Sequence, residues 1–275
     1  MCFAKRIRNC PGQVLNPGRL TIVLLLRTTT LLVLLAVSCP VTAQSHWPDR
    51  QRVGPMLYHA NFSLEPYQQL LQEISVLQAE IPRRLRLQPA RDEVYLYLFS
   101  DEKIYEKYMG HHFPGVPGRR ALFIKERGPG MVFAYRSEEF AVDVRHESTH
   151  AILHSFLPMV PLWLDEGLAE YFEVPADDRL ERNPHARSVR WRMRLKQVPD
   201  LRRLEQLSEL SEMKRDDYRD AWAWVHFMLH GPDAVRTELR SYLLDIQNHV
   251  PPGRLSDRLG RKLPHLNQRF VEHFQ

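Results

Sequence analysis

With 275 residues, 44% of them apolar and 26% charged, the chain has the composition of an ordinary folded protein, which excludes a disordered or low-complexity one. Its formal charge of +5 gives no support for a nucleic-acid partner: Lys5, Arg6, Arg8, Arg19 and Arg27 all precede residue 44, and removing those five from 38 cations leaves 33, equal to the 33 acidic residues. Cys2, Cys10 and Cys39 lie in the same stretch, so the remainder holds neither a disulfide nor a thiolate metal site, and any transition metal there must be bound by His, Asp or Glu.

Residues 20–26 and 31–37 are apolar, follow a basic start and lead to Val41-Thr42-Ala43, a small-x-small cleavage site. Residues 1–43 therefore read as an export signal. The competing reading is an uncleaved anchor, since Leu20 to Val37 approaches the length of a membrane span, although Arg27 near its centre makes insertion costly. Lipidation at Cys39 is a third and weaker option. Each of these puts the working domain outside the cytoplasm, in the periplasm or extracellular space, or at a membrane.

Residues 44–62 show no sustained period and read as a linker before a single domain over 63–275. In 64–81, Leu70, Leu71, Ile74, Leu77 and Ile81 fall at helical spacing, with Pro82 expected to end the helix. Residues 93–99 alternate like a strand, a short helix is expected near 101–109, and 113–118 is a loop. Two further strands are expected at 121–125 and 131–136, on either side of the Gly128-Pro129-Gly130 turn. The rest reads as helices near 138–157, 163–173, 184–196, 216–230, 232–247 and 264–273, which makes an α+β chain. No internal repeat is present.

The first of these late helices carries His146-Glu147-Ser148-Thr149-His150. Histidines four apart project from one helix face, so both imidazoles can reach one ion, and Glu147 can take a proton from a water bound on its open side. The bland alternative is two surface histidines and a solvated glutamate. His154 is a packing or surface histidine, because about 12 Å of helix rise separates it from His146. The metzincin pattern fails at Leu153 and Phe156.

Downstream, residues 161–173 read PLWLDEGLAEYFE, and over 138–173 the chain resembles the gluzincin zinc metallopeptidases, the clan of thermolysin and aminopeptidase N. It is most similar there to the peptidase-MA-like exported bacterial domains. The resemblance implies a zincin-like fold, with a small N-terminal mixed sheet packed on the active-site helix and a mostly helical C-terminal part. It also implies one zinc ion held by His146, His150 and Glu166, with Glu147 as general base and Glu170 orienting His146 from outside the ligand set. The spacing from His150 to Glu166 is shorter than is common in the clan, which leaves Glu170 as a rival third ligand. Trp163, Leu164, Gly167, Ala169 and Tyr171 around Glu166 favour the latter.

Enzymes of the clan supply an oxyanion donor from a later helix. Tyr218, Trp222 and His226 share a stripe, which makes Tyr218 the first candidate and His226 the second, unless the stripe is core packing. The clan places a substrate-pairing edge strand just before the site helix, where residues 131–136 lie. The Gly128-to-Val132 segment lacks the acid that aminopeptidases use for a free amino end, which favours an endopeptidase acting on peptide or protein substrates. The basic run Arg187 to Lys196 is either one solvated helix face or a site for an acidic partner or anionic membrane. The rival to the enzyme is a non-catalytic zincin-fold binding or scaffold module at the cell envelope.

Overall fold

A computed structural model describes residues 46–275, apart from residues 90, 91, 117, 127 and 181. The export or anchor segment and the three cysteines lie outside the described residues. Among those described, no helix is long and apolar enough to cross a membrane.

Five strands form one mixed sheet: β1 (Asp49–Val53), β2 (Met56–Ala60), β3 (Val94–Phe99), β4 (Ala121–Ile124) and β5 (Gly130–Tyr135). Their order across the sheet is β1-β2-β3-β5-β4. The central pairs β2/β3 and β3/β5 are parallel, and the outer pairs are antiparallel. The helices are α1 (Gln68–Leu85), α2 (Glu102–His112), α3 (Phe140–Phe156), α4 (Leu162–Phe172), α5 (Ala186–Arg194), α6 (Leu201–Leu204), α7 (Arg215–His230), α8 (Asp233–Gln247), α9 (Leu255–Lys262) and α10 (Leu266–Phe274). The chain is thus α+β, with the sheet confined to its N-terminal half.

Alternation along β3 feeds two cores. Val94, Leu96 and Leu98 face the main core with α1 and α3, while Phe99 joins Trp47, Phe133, Tyr105 and Met109 in a smaller cluster that involves α2. α3 packs on α1, β4 and β5, and so holds its histidines against the edge of the sheet.

Three expectations need correcting. Residues 49–60 are not linker: they form the β1/β2 hairpin, in which Met56, Tyr58 and Ala60 are buried and alternate with half-buried neighbours. Strands of five residues, one of them largely polar, fall below what periodicity detects. Nor does Pro82 end α1, which continues to Leu85 and closes on Arg86 in the left-handed region (φ 56°), with the Leu87 amide donating to the Pro82 carbonyl at 2.9 Å. Proline removes one donor, and the buried Ile81 and Leu85 flanking it keep the last turn docked. The strand before the site helix, β5, is interior, and the edge belongs to β4.

α4 is a core helix. Leu162 through Ala169 are buried, as are Tyr171 and Phe172, so the segment is apolar on every side apart from its acids. It lies between α3 and α7, and a Cβ on Gly167 would meet the Ala221 carbonyl oxygen at 2.8 Å and a Val225 methyl at 2.9 Å. Only glycine allows α7 this close. Gly167→Ala is therefore expected to cost about 1–3 kcal/mol through overpacking against a backbone that cannot yield. Denaturant unfolding checks this, and an unchanged midpoint removes close approach as the reason for glycine.

Candidate metal centre

α3 and α4 bring the expected ligands together. Nε2 of His146 lies 3.5 Å and Nε2 of His150 3.9 Å from the same Glu166 oxygen, Oε2. Donor atoms at 2.0–2.1 Å from a tetrahedral ion stand roughly 3.4 Å apart, so the three side chains are close to the spacing at which they could share one small divalent cation. The three donor atoms lie within 4.8 Å of one another. Two neutral-capable imidazoles and a carboxylate suit zinc.

Each imidazole is also gripped at its other nitrogen. Nδ1 of His146 is 2.8 Å from Glu173 Oε2, and Nδ1 of His150 is 3.0 Å from Asp165 Oδ1. A carboxylate there keeps the proton on Nδ1 and leaves the Nε2 lone pair for an ion. Asp165 also takes His154 at 2.9 Å through its second oxygen, while the Phe123 ring stacks along both His150 and His154. His154 is thus a packing histidine that completes the Asp165 bridge. Burial works to raise Asp165, but the two imidazoles outweigh it and hold the carboxyl well below its ordinary range.

Glu170 does not orient His146 as expected. Its carboxylate takes the His185 Nε2 at 2.8 Å, and Glu173, almost one further turn along the chain, has the bond to His146. With His146 and Glu173 it forms a second acid-rich trio, in which Glu173 bonds His146 Nδ1 while Glu170 is bonded to His185. Burial and the neighbouring Glu170 charge push Glu173 up, while the His185 and His146 imidazoles keep Glu170 below its ordinary value despite burial. Glu173 is itself anchored: Arg145 Nε donates to its backbone carbonyl, and Arg145 Nη1 reaches Glu73 of α1 at 2.8 Å. Glu173→Ala is expected to lower metal affinity tenfold to a hundredfold, with a smaller loss for Glu170→Ala. Competition titrations with a chromophoric chelator measure both, and equal losses discard the assignment of Glu173.

Glu147 lines a cavity of about 80 Å³ with His146, His150, Glu166, Leu122 and Phe123. Burial raises its carboxyl above the ordinary value, against the pull of the two histidines, and the Phe123 amide donates to it. Arg119, from the loop before β4, lines the same cavity and was not foreseen, since a lone arginine in a loop carries no pattern.

The two donor candidates separate. Tyr218, in the first turn of α7, is half-buried, and its hydroxyl is pushed up to about 12 by burial and then by the Glu166 charge, which places it beside the site although not in the cavity lining. His226 is not at the site. Two turns further along α7, it bonds His273 of α10 (2.9 Å) among Trp222, His230 and Phe274, and burial lowers it to about 3. About 12 Å of rise between positions eight apart makes the two alternatives exclusive.

Compared with known proteins, the chain matches no family model and no curated protein sequence.

Proposed function

We propose that the protein is a metallohydrolase built on a two-histidine, one-glutamate zinc centre. More narrowly, we read it as an exported peptidase of the gluzincin kind with a zincin-like fold, acting on peptide or protein chains. The observation that carries this is the convergence of both Nε2 atoms on one Glu166 oxygen, with each Nδ1 pinned by a carboxylate and Glu147 in the same cavity.

His146, His150 and Glu166 would hold the zinc, which would supply Lewis acidity to a water and to a substrate carbonyl. Glu147, its carboxyl poised upward by burial, accepts the water's proton and returns it to the leaving amine. Tyr218 is the donor to the oxyanion that develops on the carbonyl, and its raised value keeps the hydroxyl protonated for the task. β4, the antiparallel edge strand whose Leu122 and Phe123 line the cavity, is the strand along which an extended substrate pairs.

The test is a metal analysis of the purified protein joined to digestion of a mixed peptide library with and without a chelator. The expected result is a single zinc per chain and cleavage that stops on chelation. No chelator-sensitive cleavage points instead to a non-catalytic binding or scaffold module, with or without metal, and absence of metal binding discards the hydrolase.

A further inference from the structure

Away from the metal-type site, α5 carries a surface that hydrolysis does not use. Its inner positions, Ala186, Val189 and Met193, are buried and pack toward α7 and α10. The opposite face exposes Arg187, Arg190, Trp191 and Arg194, which are also at helical spacing, so three guanidinium groups surround one indole. Trp191 is 60% exposed, whereas Trp47, Trp163, Trp222 and Trp224 are all buried. Leu195, one turn on from Trp191, is about half exposed, as is Leu180, which borders the adjoining cavity with Arg190. A groove of about 650 Å³ runs along the stripe between Pro184 and Arg194.

Neighbouring arginines are paired: Arg182 with Asp178 and Arg192 with Asp220, both at 2.9 Å. Arg187, Arg190 and Arg194 have no carboxylate partner among the described residues. Beyond residue 43 the chain has equal numbers of cations and acids, so this is a local concentration of charge and not general basicity. Three like charges within two turns repel one another, and an indole with two leucines in water is unfavourable. One kind of partner relieves both, a layer of anionic headgroups over an apolar interior, where tryptophan sits at the boundary and arginine keeps its charge at the phosphates. A nucleic acid or an acidic peptide answers the charges but leaves the leucines unsatisfied.

We propose that α5 is a membrane-docking helix that lies on an anionic phospholipid surface, with Trp191, Leu180 and Leu195 in the headgroup boundary and Arg187, Arg190 and Arg194 on the lipid phosphates. The docking is separate from any attachment through residues 1–43 and does not depend on the metal. His185, which immediately precedes the helix, bonds Glu170 of α4, so the docked helix is coupled to the one that bears Glu166.

Because Trp191 is the exposed indole among the described residues, tryptophan emission reports on this surface. The full chain, purified as cells produce it, is mixed with phosphatidylcholine vesicles with and without phosphatidylglycerol. Phosphatidylglycerol is expected to shift the emission to the blue and brominated lipid to quench it, with the shift lost in Trp191→Phe and weakened by salt. Reversing Arg187, Arg190 and Arg194 to Glu together lowers partitioning by at least about a hundredfold, a factor of about five or more per arginine. All four positions are exposed, so an unchanged thermal unfolding curve verifies that the variants fold. Equal partitioning of wild type and the triple variant overturns the proposal and leaves the N-terminal segment as the sole attachment. An equal blue shift with heparin or polyglutamate overturns it in favour of an acidic macromolecule.

Discussion

Glu147→Gln is expected to lower kcat by a factor on the order of 10² to 10⁴ while the zinc stays bound. The amide is isosteric with the carboxylate and can still bond the Phe123 amide through its oxygen, but it cannot accept the water's proton. His150→Ala behaves differently, because it removes one of three donors and leaves Asp165 facing a buried gap; metal content and activity fall together. Measuring kcat and zinc content side by side separates the roles. Full activity in Glu147→Gln would show that another group is the base.

The second large effect is on metal affinity as pH changes. In the metal-free protein, burial opposes charge on both imidazoles, but Glu166 and Glu173 outweigh it at His146, and Asp165 and Glu166 outweigh it at His150. His146 is raised well above the ordinary imidazole value and His150 to about 9. Both hold a proton at neutral pH that a cation must displace, so zinc affinity climbs with pH, about tenfold per unit for each proton released. Stability follows the same sign. An imidazole whose pKa is higher folded than unfolded contributes fully below the unfolded value near 6.5, and the contribution is lost as pH rises through about 9. Chelator-treated protein therefore loses stability across that window while the zinc-loaded form does not. Calorimetric titration in buffers of different ionisation enthalpy counts the protons released, and the gap in Tm between the two forms should widen with pH. Zinc binding with no proton release, or a constant gap, contradicts this placement of the imidazoles.

The residues that converge at the candidate site are the most legible part of the chain. The His146-to-His150 spacing and the apolar frame of Trp163, Leu164 and Ala169 around Glu166 reflect what a helix and a buried helix require, and local pattern carries both. Partners that depend on how two helices cross were not legible. Glu173 meets His146 because Arg145 draws the end of α4 onto α3, and neither the spacing of Glu170 nor that of Glu173 encodes this contact. Asp165 stands next to the proposed ligand Glu166, yet its contact with His150 depends on the face that α4 turns toward that ring. His226 was misplaced because a shared stripe fixes direction but not depth along a helix. The β1/β2 hairpin was lost for a different reason: five-residue strands are stabilised by neighbours distant in sequence, here by β3 pairing with β2 across a helical crossover.

Asp165 and Glu166 are consecutive, so α4 meets the two nitrogens of His150 with two adjacent side chains. A half-turn of that ring would exchange both nitrogens for carbons and forfeit both contacts at once. Both carboxylates therefore favour one orientation of the ring. On the proposed reading, capture of a cation would then require the loss of protons and hydration water more than a rearrangement of α4.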